Sequence, residues 1–450
     1  MIAEDKNGKP VTDLRREEFQ LADNGSSQDV RLFVNESERS AIALPPLPAG
    51  TFTNRSNDRP DGHSGYSVIV LDTLFTLLAD EGQGGSGTIW AIQKAVKALR
   101  ALPPGENVAI YATGYQLWVV REFTQDRESL EQKLRKWKPV MDVIPAENKF
   151  DVLRQEIEQI AAHVAAIPGR KNLIWIAYQF PIAPPVLQRL KTADVAVYPV
   201  DAHGSVIALK TEKTLASMPL RALAAATGGV AYFDRDDLDV AIREAIDDGR
   251  SNYTLGFYPS DDDRGDARTP RVHKVAVRVT RPGVTLRYRN LYQTEPPRKP
   301  APARVADMEQ AMFSPVDALA IPIQASARRI QDRTNKNRSN DRLSFDTLLD
   351  AASLDLAPNR NRWTATLEVV GLFIAADGRI AGARPALDQT VNLNFTQPTY
   401  DTVTQHGLSY RNELKIPASA VQFKILIANR ATGKMGTVTI PLSEVTAAAE

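Results

Sequence analysis

Apolar positions along the chain switch between two periods. Val68–Leu71 is an unbroken apolar run that closes on Asp72. Such a run, bounded by polar residues, predicts a strand buried on both faces of a parallel sheet. Ile89, Ile92, Val96 and Leu99 then step by three and four, the spacing of an amphipathic helix. Val108–Thr113 is the next predicted strand. Leu117–Glu122 follows across only Gly114-Tyr115-Gln116, too short for a parallel crossover, so these two form a hairpin. Leu130, Leu134 and Trp137 make another helical face. Phe150, Leu153, Ile157, Ile160, Val164 and Ile167 make the longest one, stopped by Pro168-Gly169. Strand Leu173–Ala177, a helix around Val186–Leu190, strand Val195–Val200, a helix around Leu215–Ala226, strand Val230–Phe233 and a helix through Leu238, Ile242 and Ile246 complete the series. Strands alternating with helices predict an α/β doubly wound, mostly parallel sheet with one antiparallel hairpin strand over residues 66–250.

The flanks carry strand periods without helices between them. Residues 1–40 read as a β-hairpin segment, with Asp23-Asn24-Gly25 as the turn. Residues 41–65, rich in Pro, Asn, Asp, Ser and Gly, read as a linker. Asn252–Ser260, Val272–Thr280 and Val284–Arg289 predict a β extension over 251–294 that packs with the N-terminal segment. Residues 295–317 begin with EPPRKPAPA and read as a second, semi-rigid linker with a short helix near Met308. From 318 to 450, alternation at Val391, Leu393 and Phe395, and at Val421, Phe423, Ile425 and Ile427, predicts a β-sandwich.

Composition narrows the function classes. A net charge of +1 gives no broad electrostatic pull toward nucleic acid or anionic lipid. No apolar segment approaches the roughly 18 residues of a membrane helix, so no membrane insertion is expected. The absence of cysteine removes disulfides, thiol catalysis and cysteine metal sites. Met1-Ile2-Ala3 runs directly into Glu4-Asp5-Lys6, without a signal-peptide pattern.

Several segments, in order, resemble one family. They are AEDKNGKPVTDLRREEFQLADNGSSQDVRLF before the α/β region, VIVLDTLFT opening it, and VAVYPVDAHG late in it. NYTLGFYPS, KVAVRVTRPGVTLRYR and FKILIANRATGKMGTVTIPL follow. Together they are similar to the secreted VWFA-related proteins of acidobacteria, which have a von Willebrand factor type A fold. The resemblance implies an extracytoplasmic protein and a natural start upstream of Met1, since Met1 falls inside the strand that opens the first motif.

The same resemblance implies a metal site of the pattern Asp-x-Ser-x-Ser, a distant Thr, and an Asp after the fourth strand. Asp72 matches the first ligand and Thr76 the second Ser. Leu74 stands where the first Ser should be, and Ala177-Tyr178-Gln179 replaces Thr-Asp-Gly. Mg²⁺ wants near-octahedral oxygen ligands, so the replacement of two ligands by Leu74 and Tyr178 predicts a degenerate site, with weak Mg²⁺ or Ca²⁺ binding at most and no cofactor. Asp201, after the fifth strand, and His203 lie on the same sheet edge. The bland reading of Asp72 and Asp201 is capping of loop N–H groups.

Other motifs are weaker. Gly82–Gly87 spells G-x-G-x-x-G, but it starts ten positions after Asp72 instead of at the strand end. Arg264-Gly265-Asp266 and Asp261–Asp263 read as a solvated hairpin tip. The histidines at 63, 163, 203, 273 and 406 show no ligand spacing, and His163 reads as a satisfied or solvent-edge residue. Asp72, Thr76, Asp201 and His203 therefore make a candidate ligand-binding edge. The expected function is a non-enzymatic binding or adhesion protein whose partner is another protein or an envelope component. A hydrolase or cofactor enzyme at the same edge, or an envelope structural protein without a ligand site, are the alternatives.

Overall fold

The computed structural model describes residues 1–35, 37, 47–54, 65–74, 86–103, 105–139, 144–165, 167, 169–177, 184–202, 210–249, 251–258, 272–293, 301–330, 341–376 and 378–447. They form two compact units. Residues 1–43 and 61–297 make the first; residues 44–60 and 298–450 make the second.

The N-terminal segment supplies β1 (Ile2–Glu4), β2 (Phe19–Asp23), β3 (Ser26–Gln28) and β4 (Leu32–Asn35). Asn24 and Gly25 both take positive φ, 48° and 87°, as a tight β2–β3 turn requires. The segment read as a linker over 41–65 instead contains β5 (Thr51–Thr53), which belongs to the second unit. Its three residues are too few to show a period.

The centre of the first unit is a five-stranded sheet. It comprises β6 (Tyr66–Asp72), β7 (Asn107–Thr113), β8 (Trp118–Thr124), β9 (Lys171–Ala177) and β10 (Val195–Asp201), in the order β10-β9-β6-β7-β8. All neighbours are parallel except β7 and β8, the antiparallel hairpin. That order, with the hairpin strand at one edge, is the von Willebrand factor A-like arrangement expected from the sequence. The helices are α1 (Ser86–Arg100), α2 (Arg127–Lys136), α3 (Ala146–Val164), α4 (Pro184–Thr192), α5 (Lys210–Thr227) and α6 (Leu238–Asp247). One apolar core runs through Leu99, Ile110, Leu134, Ile174, Tyr198 and Ile242. The strand expected at Val230–Phe233 is reduced to a single bridge, Tyr232 to Val200. Asp234, at φ 58°, turns the chain away immediately afterwards. Gly229 is required beside it, because a Cβ there would lie 1.9 Å from the Val197 carbonyl oxygen.

Residues after α6 return to the N-terminal segment. β11 (Tyr253–Gly256) pairs with β4, β12 (Val272–Val279) with β2 and β14 (Leu291–Gln293), and β13 (Thr285–Arg287) with β1. Ala3, Leu14, Phe19, Leu21, Val30, Tyr253 and Val277 form their shared core.

In the second unit, much of the expected second linker is helix: α7 (Ala301–Phe313). Its Met312 packs on Leu372 and Leu426. The remaining strands are β15 (Ile323–Ile330), β16 (Arg342–Leu349), β17 (Ala357–Asn359), β18 (Arg362–Ala375), β19 (Leu387–Phe395), β20 (Leu408–Lys415), β21 (Ala420–Asn429), β22 (Met435–Pro441) and β23 (Thr446–Ala447), with α8 (Gln397–His406) before β20. One sheet runs β20-β16-β15, with β5 and β23 on the far side of β15. The other is built on β18, β21 and β22, with β17 and β19 also paired to β18. Phe345 of the first sheet meets Phe423 of the second at 5.2 Å between ring centres, inside a common apolar core. This is the sandwich that the alternation predicted.

Candidate functional site

The carboxyl edge of the parallel strands is where ligands of open α/β sheets bind. Asp72 ends β6 there and is buried. Its Oδ1 accepts the Leu74 N–H at 2.9 Å and the Thr113 hydroxyl at 2.9 Å. The Thr73 hydroxyl in turn donates to the Thr113 carbonyl, fastening the β6 and β7 ends together. One oxygen of Asp72 is thus already engaged in holding the loop that leaves the strand. The capping reading describes this oxygen well.

Beside it lies a group that the sequence reading passed over. Glu156, on the buried face of α3, accepts the Gly114 N–H at 3.1 Å through Oε1. Its Oε2 is buried without a hydrogen-bond partner among the described residues. Burial pushes the Glu156 carboxyl up to about 9, and the Asp72 carboxylate adds to the shift, against the Gly114 hydrogen bond. Glu156 is therefore a neutral acid at pH 7. A signal for it existed: position 156 falls between Leu153, Ile157 and Ile160 on the apolar stripe. A carboxylate on a buried stripe is costly unless paired or protonated.

A cation sits at the same edge. Lys149, in the first turn of α3, donates from Nζ to the Leu74 carbonyl at 3.1 Å. Among the described residues, the donors at this edge do not fit a divalent-cation cage. Leu74 offers no side-chain oxygen, Asp72 Oδ1 is committed, and an ammonium is anchored one residue pair away. Among the described residues, no cluster of three or more His, Cys, Asp or Glu could hold a metal ion.

The rim is apolar. Ile89 of α1, Tyr115 in the β7–β8 turn and Phe150 of α3 are 52%, 42% and 53% exposed. The first and third were expected to pack inward with their helical stripes, and this corrects that expectation. Both lie near the starts of helices that begin at the carboxyl edge. The remaining α3 positions, Leu153, Ile157, Ile160 and Val164, are buried, as is Ile167 just after the helix. Tyr115 stands edge-on to Trp118, with ring centres 5.3 Å apart.

Asp201 ends β10, in register with Ala177 of β9, and is half-buried. β9 lies between β10 and β6, so two strand spacings, about 9.5 Å, separate Asp201 from Asp72. Thr76, Tyr178 and His203 lie outside the described residues, as do His63, the Gly82–Gly85 run, Asp261–Asp263 and Arg264-Gly265-Asp266. His163 is buried and within 3.4 Å of Glu122, stacked on Phe123. His273 is buried against Asp23 at 3.1 Å and stacks on Tyr292. His406 is exposed at the end of α8.

No protein-family profile matches the chain, and no curated protein does. Among solved structures, it is similar to an aerotolerance-related membrane protein from Bacteroides fragilis, at 13% identity and a TM-score of 0.30, over 41% of this chain and 99% of that one. It is similar to the protein BatB from Bacteroides thetaiotaomicron, at 16% identity and a TM-score of 0.29, over 42% and 100%. Manganese-loaded TRAP from Plasmodium vivax matches at 10% identity and a TM-score of 0.28, over 56% and 98%. At such identities the likeness is one of fold.

Proposed function

We propose that the chain is a non-enzymatic binding or adhesion protein that recognises another protein, or an envelope component, with the carboxyl edge of its α/β sheet and without a competent metal site. The observation that carries this reading is the exposure of Ile89, Tyr115 and Phe150 on three separate segments at one edge. Large apolar side chains with a charged neighbour, Lys149, are the usual makings of a recognition patch. Asp72, with Asp201 at the far end of the same edge, frames that patch. Thr76 and His203 belong to the proposed edge by sequence. An extracytoplasmic location follows from the family resemblance; among the described residues no helix is long and apolar enough to cross a membrane.

One observation favours a hydrolase instead: a neutral acid, Glu156, beside a second carboxylate is a pattern used in acid–base catalysis. Both groups are buried, however, and substrate contact requires access. The test is a pull-down from native envelope fractions by the immobilised full chain, with and without chelator, alongside Phe150→Ser and Glu156→Gln. Saturable capture that survives chelator, falls at least about tenfold in Phe150→Ser and is unchanged in Glu156→Gln is the expected outcome. Capture abolished by chelator, or indifferent to Phe150, would overturn the reading.

A further inference from the structure

We propose that the open edge of the second unit's β20 pairs, antiparallel, with the same edge of a second copy of the chain. β20 pairs with β16 over its whole length, from Leu408 opposite Leu349 to Lys415 opposite Arg342, with no register shift. It ends its sheet, and among the described residues no strand pairs with its other side. It is eight residues long, with neither proline nor bulge. Short length, proline and bulges are among the devices that protect an exposed edge from pairing, as are charged side chains; those of β20, Arg411, Glu413 and Lys415, are of mixed sign.

The side chains specify one register. Leu408, Tyr410, Asn412 and Leu414 are half-buried on the inner face, while Ser409, Arg411, Glu413 and Lys415 are exposed on the outer. The Ile416 N–H donates to the Asp341 carbonyl at 2.8 Å, across toward β16. By alternation, the odd-numbered residues of β20 direct their N–H and C=O groups outward. A two-fold antiparallel pair must oppose residues of the same face. Centred on Asn412, it sets Arg411 against Glu413 of the second copy, Ser409 against Lys415, and Tyr410 against Leu414. It also makes the outward-directed residues the hydrogen-bonded pairs. Centred on Arg411, it would oppose that residue to itself. Centred on Glu413, it would oppose Glu413 to itself and Arg411 to Lys415. Centred on Leu414, it would set Glu413 against Lys415 but overlap only the end of the strand, Glu413 to Lys415. Like charges directly opposed are destabilising, so among the registers that overlap most of the strand the one centred on Asn412 is favourable in both charge and apolar pairing.

The charge pattern also continues across the junction. Within one chain Arg411 binds Asp346 at 2.6 Å and Glu413 binds Arg342 at 2.6 Å. Pairing therefore lines up Asp346, Arg411, then Glu413 and Arg342 of the second copy, alternating in sign. A single edge pairing buries less than the roughly 1,200–2,000 Å² of a stable interface, so the association is weak and concentration-dependent.

Sedimentation velocity of the full chain, across about 1–200 µM, tests this. The wild type is expected to shift from 49.5 kDa toward twice that mass as concentration rises. R411E and E413R each place like charges opposite one another and are expected to weaken self-association at least tenfold. An equimolar mixture of the two variants restores Arg–Glu opposition at both positions and is expected to associate. Melting curves identify a variant that fails to fold. Ser409→Pro then replaces it, because it removes an outward-directed N–H and leaves both charges in place. A wild type that stays monomeric, folded charge variants that associate as well as the wild type, or a mixture that remains monomeric would overturn the proposal.

Discussion

The two ends of the α/β sheet bury charge in opposite ways. At the amino end, buried cations and carboxylates interleave. Lys171 holds the chain after α3 by donating from Nζ to the Ile167 and Gly169 carbonyls at 2.7 and 2.8 Å. Arg170 donates to the Tyr198 hydroxyl at 2.9 Å and to the Gly228 carbonyl at 2.6 Å. Arg287 joins Glu4 at 2.8 Å and Asp248 at 2.7 Å, and Asp248 also accepts the Tyr198 hydroxyl at 2.8 Å. Burial works against the Asp194 charge, yet Arg289, Lys171 and Arg170 hold its carboxyl below the ordinary range. At the carboxyl end, Asp72 and Glu156 stand together, and a proton settles the conflict. Interleaved charge ties the β extension to the sheet, which is a structural role. Like charge tolerated beneath an apolar rim marks the end where stability was not the only demand.

Breaking the amino end should cost most. Arg287→Met leaves Asp248 and Glu4 without their shared cation, and removing one partner of a buried pair is expected to destabilise the protein by about 3 kcal/mol. Urea denaturation at pH 7 measures it. A loss below about 0.5 kcal/mol would mean that the amino-end network is ornamental.

The carboxyl end should respond in the opposite direction. Glu156 has an ordinary value of 4.5 and a folded value of about 9. Between those values the folded chain holds a proton that the unfolded chain has released. The Glu156 contribution to stability therefore falls as pH rises, by up to about 1.4 kcal/mol per pH unit. Glu156→Gln keeps an acceptor for the Gly114 N–H and removes the titration. It should be more stable than the wild type, by a margin that widens from pH 6 to pH 8.5. A margin independent of pH would refute the neutral-acid assignment. Lys171 runs the other way. Burial lowers it from 10.5 to about 8, so its contribution rises with pH between those values.

Metal should matter least. Millimolar Mg²⁺, Mn²⁺ or Ca²⁺ is expected to move the melting temperature by less than about 1 °C, because ligand stabilisation requires affinity for the folded state. Calorimetric titration that found sub-micromolar binding, lost in Asp72→Ala, would remove the contrast between the two ends.

The sheet was legible because its period changes are long and clean. Tyr66–Asp72 and Ala146–Val164 each satisfy one template over their whole length. What escaped was shorter or depended on depth. β5 has three residues, too few to register a period, and the strand read at Val230–Phe233 comes down to one bridge at Tyr232. Ile89 and Phe150 obey the helical spacing yet are exposed, because spacing gives a face and not how far the facing layer extends. Of the site, Asp72 was legible as a lone carboxylate ending an apolar strand. Glu156 was hidden in a helix whose stripe had been read for its apolar members only.

One feature of the second unit governs the order of events during synthesis. The Thr53 hydroxyl donates to the carbonyl of Ile323, 270 residues later. The neighbouring Asn54 side chain, buried, bonds to Ala318, Ile321 and Ile323. At the usual pace of translation, those partners leave the ribosome on the order of 15–50 seconds after β5 does. The first unit's residues 1–43 precede β5 and its residues 61–297 lie between the two, so it has that interval in which to fold. A nascent chain arrested before residue 323 would thus carry a complete α/β unit and an orphaned strand, and the sandwich would close last.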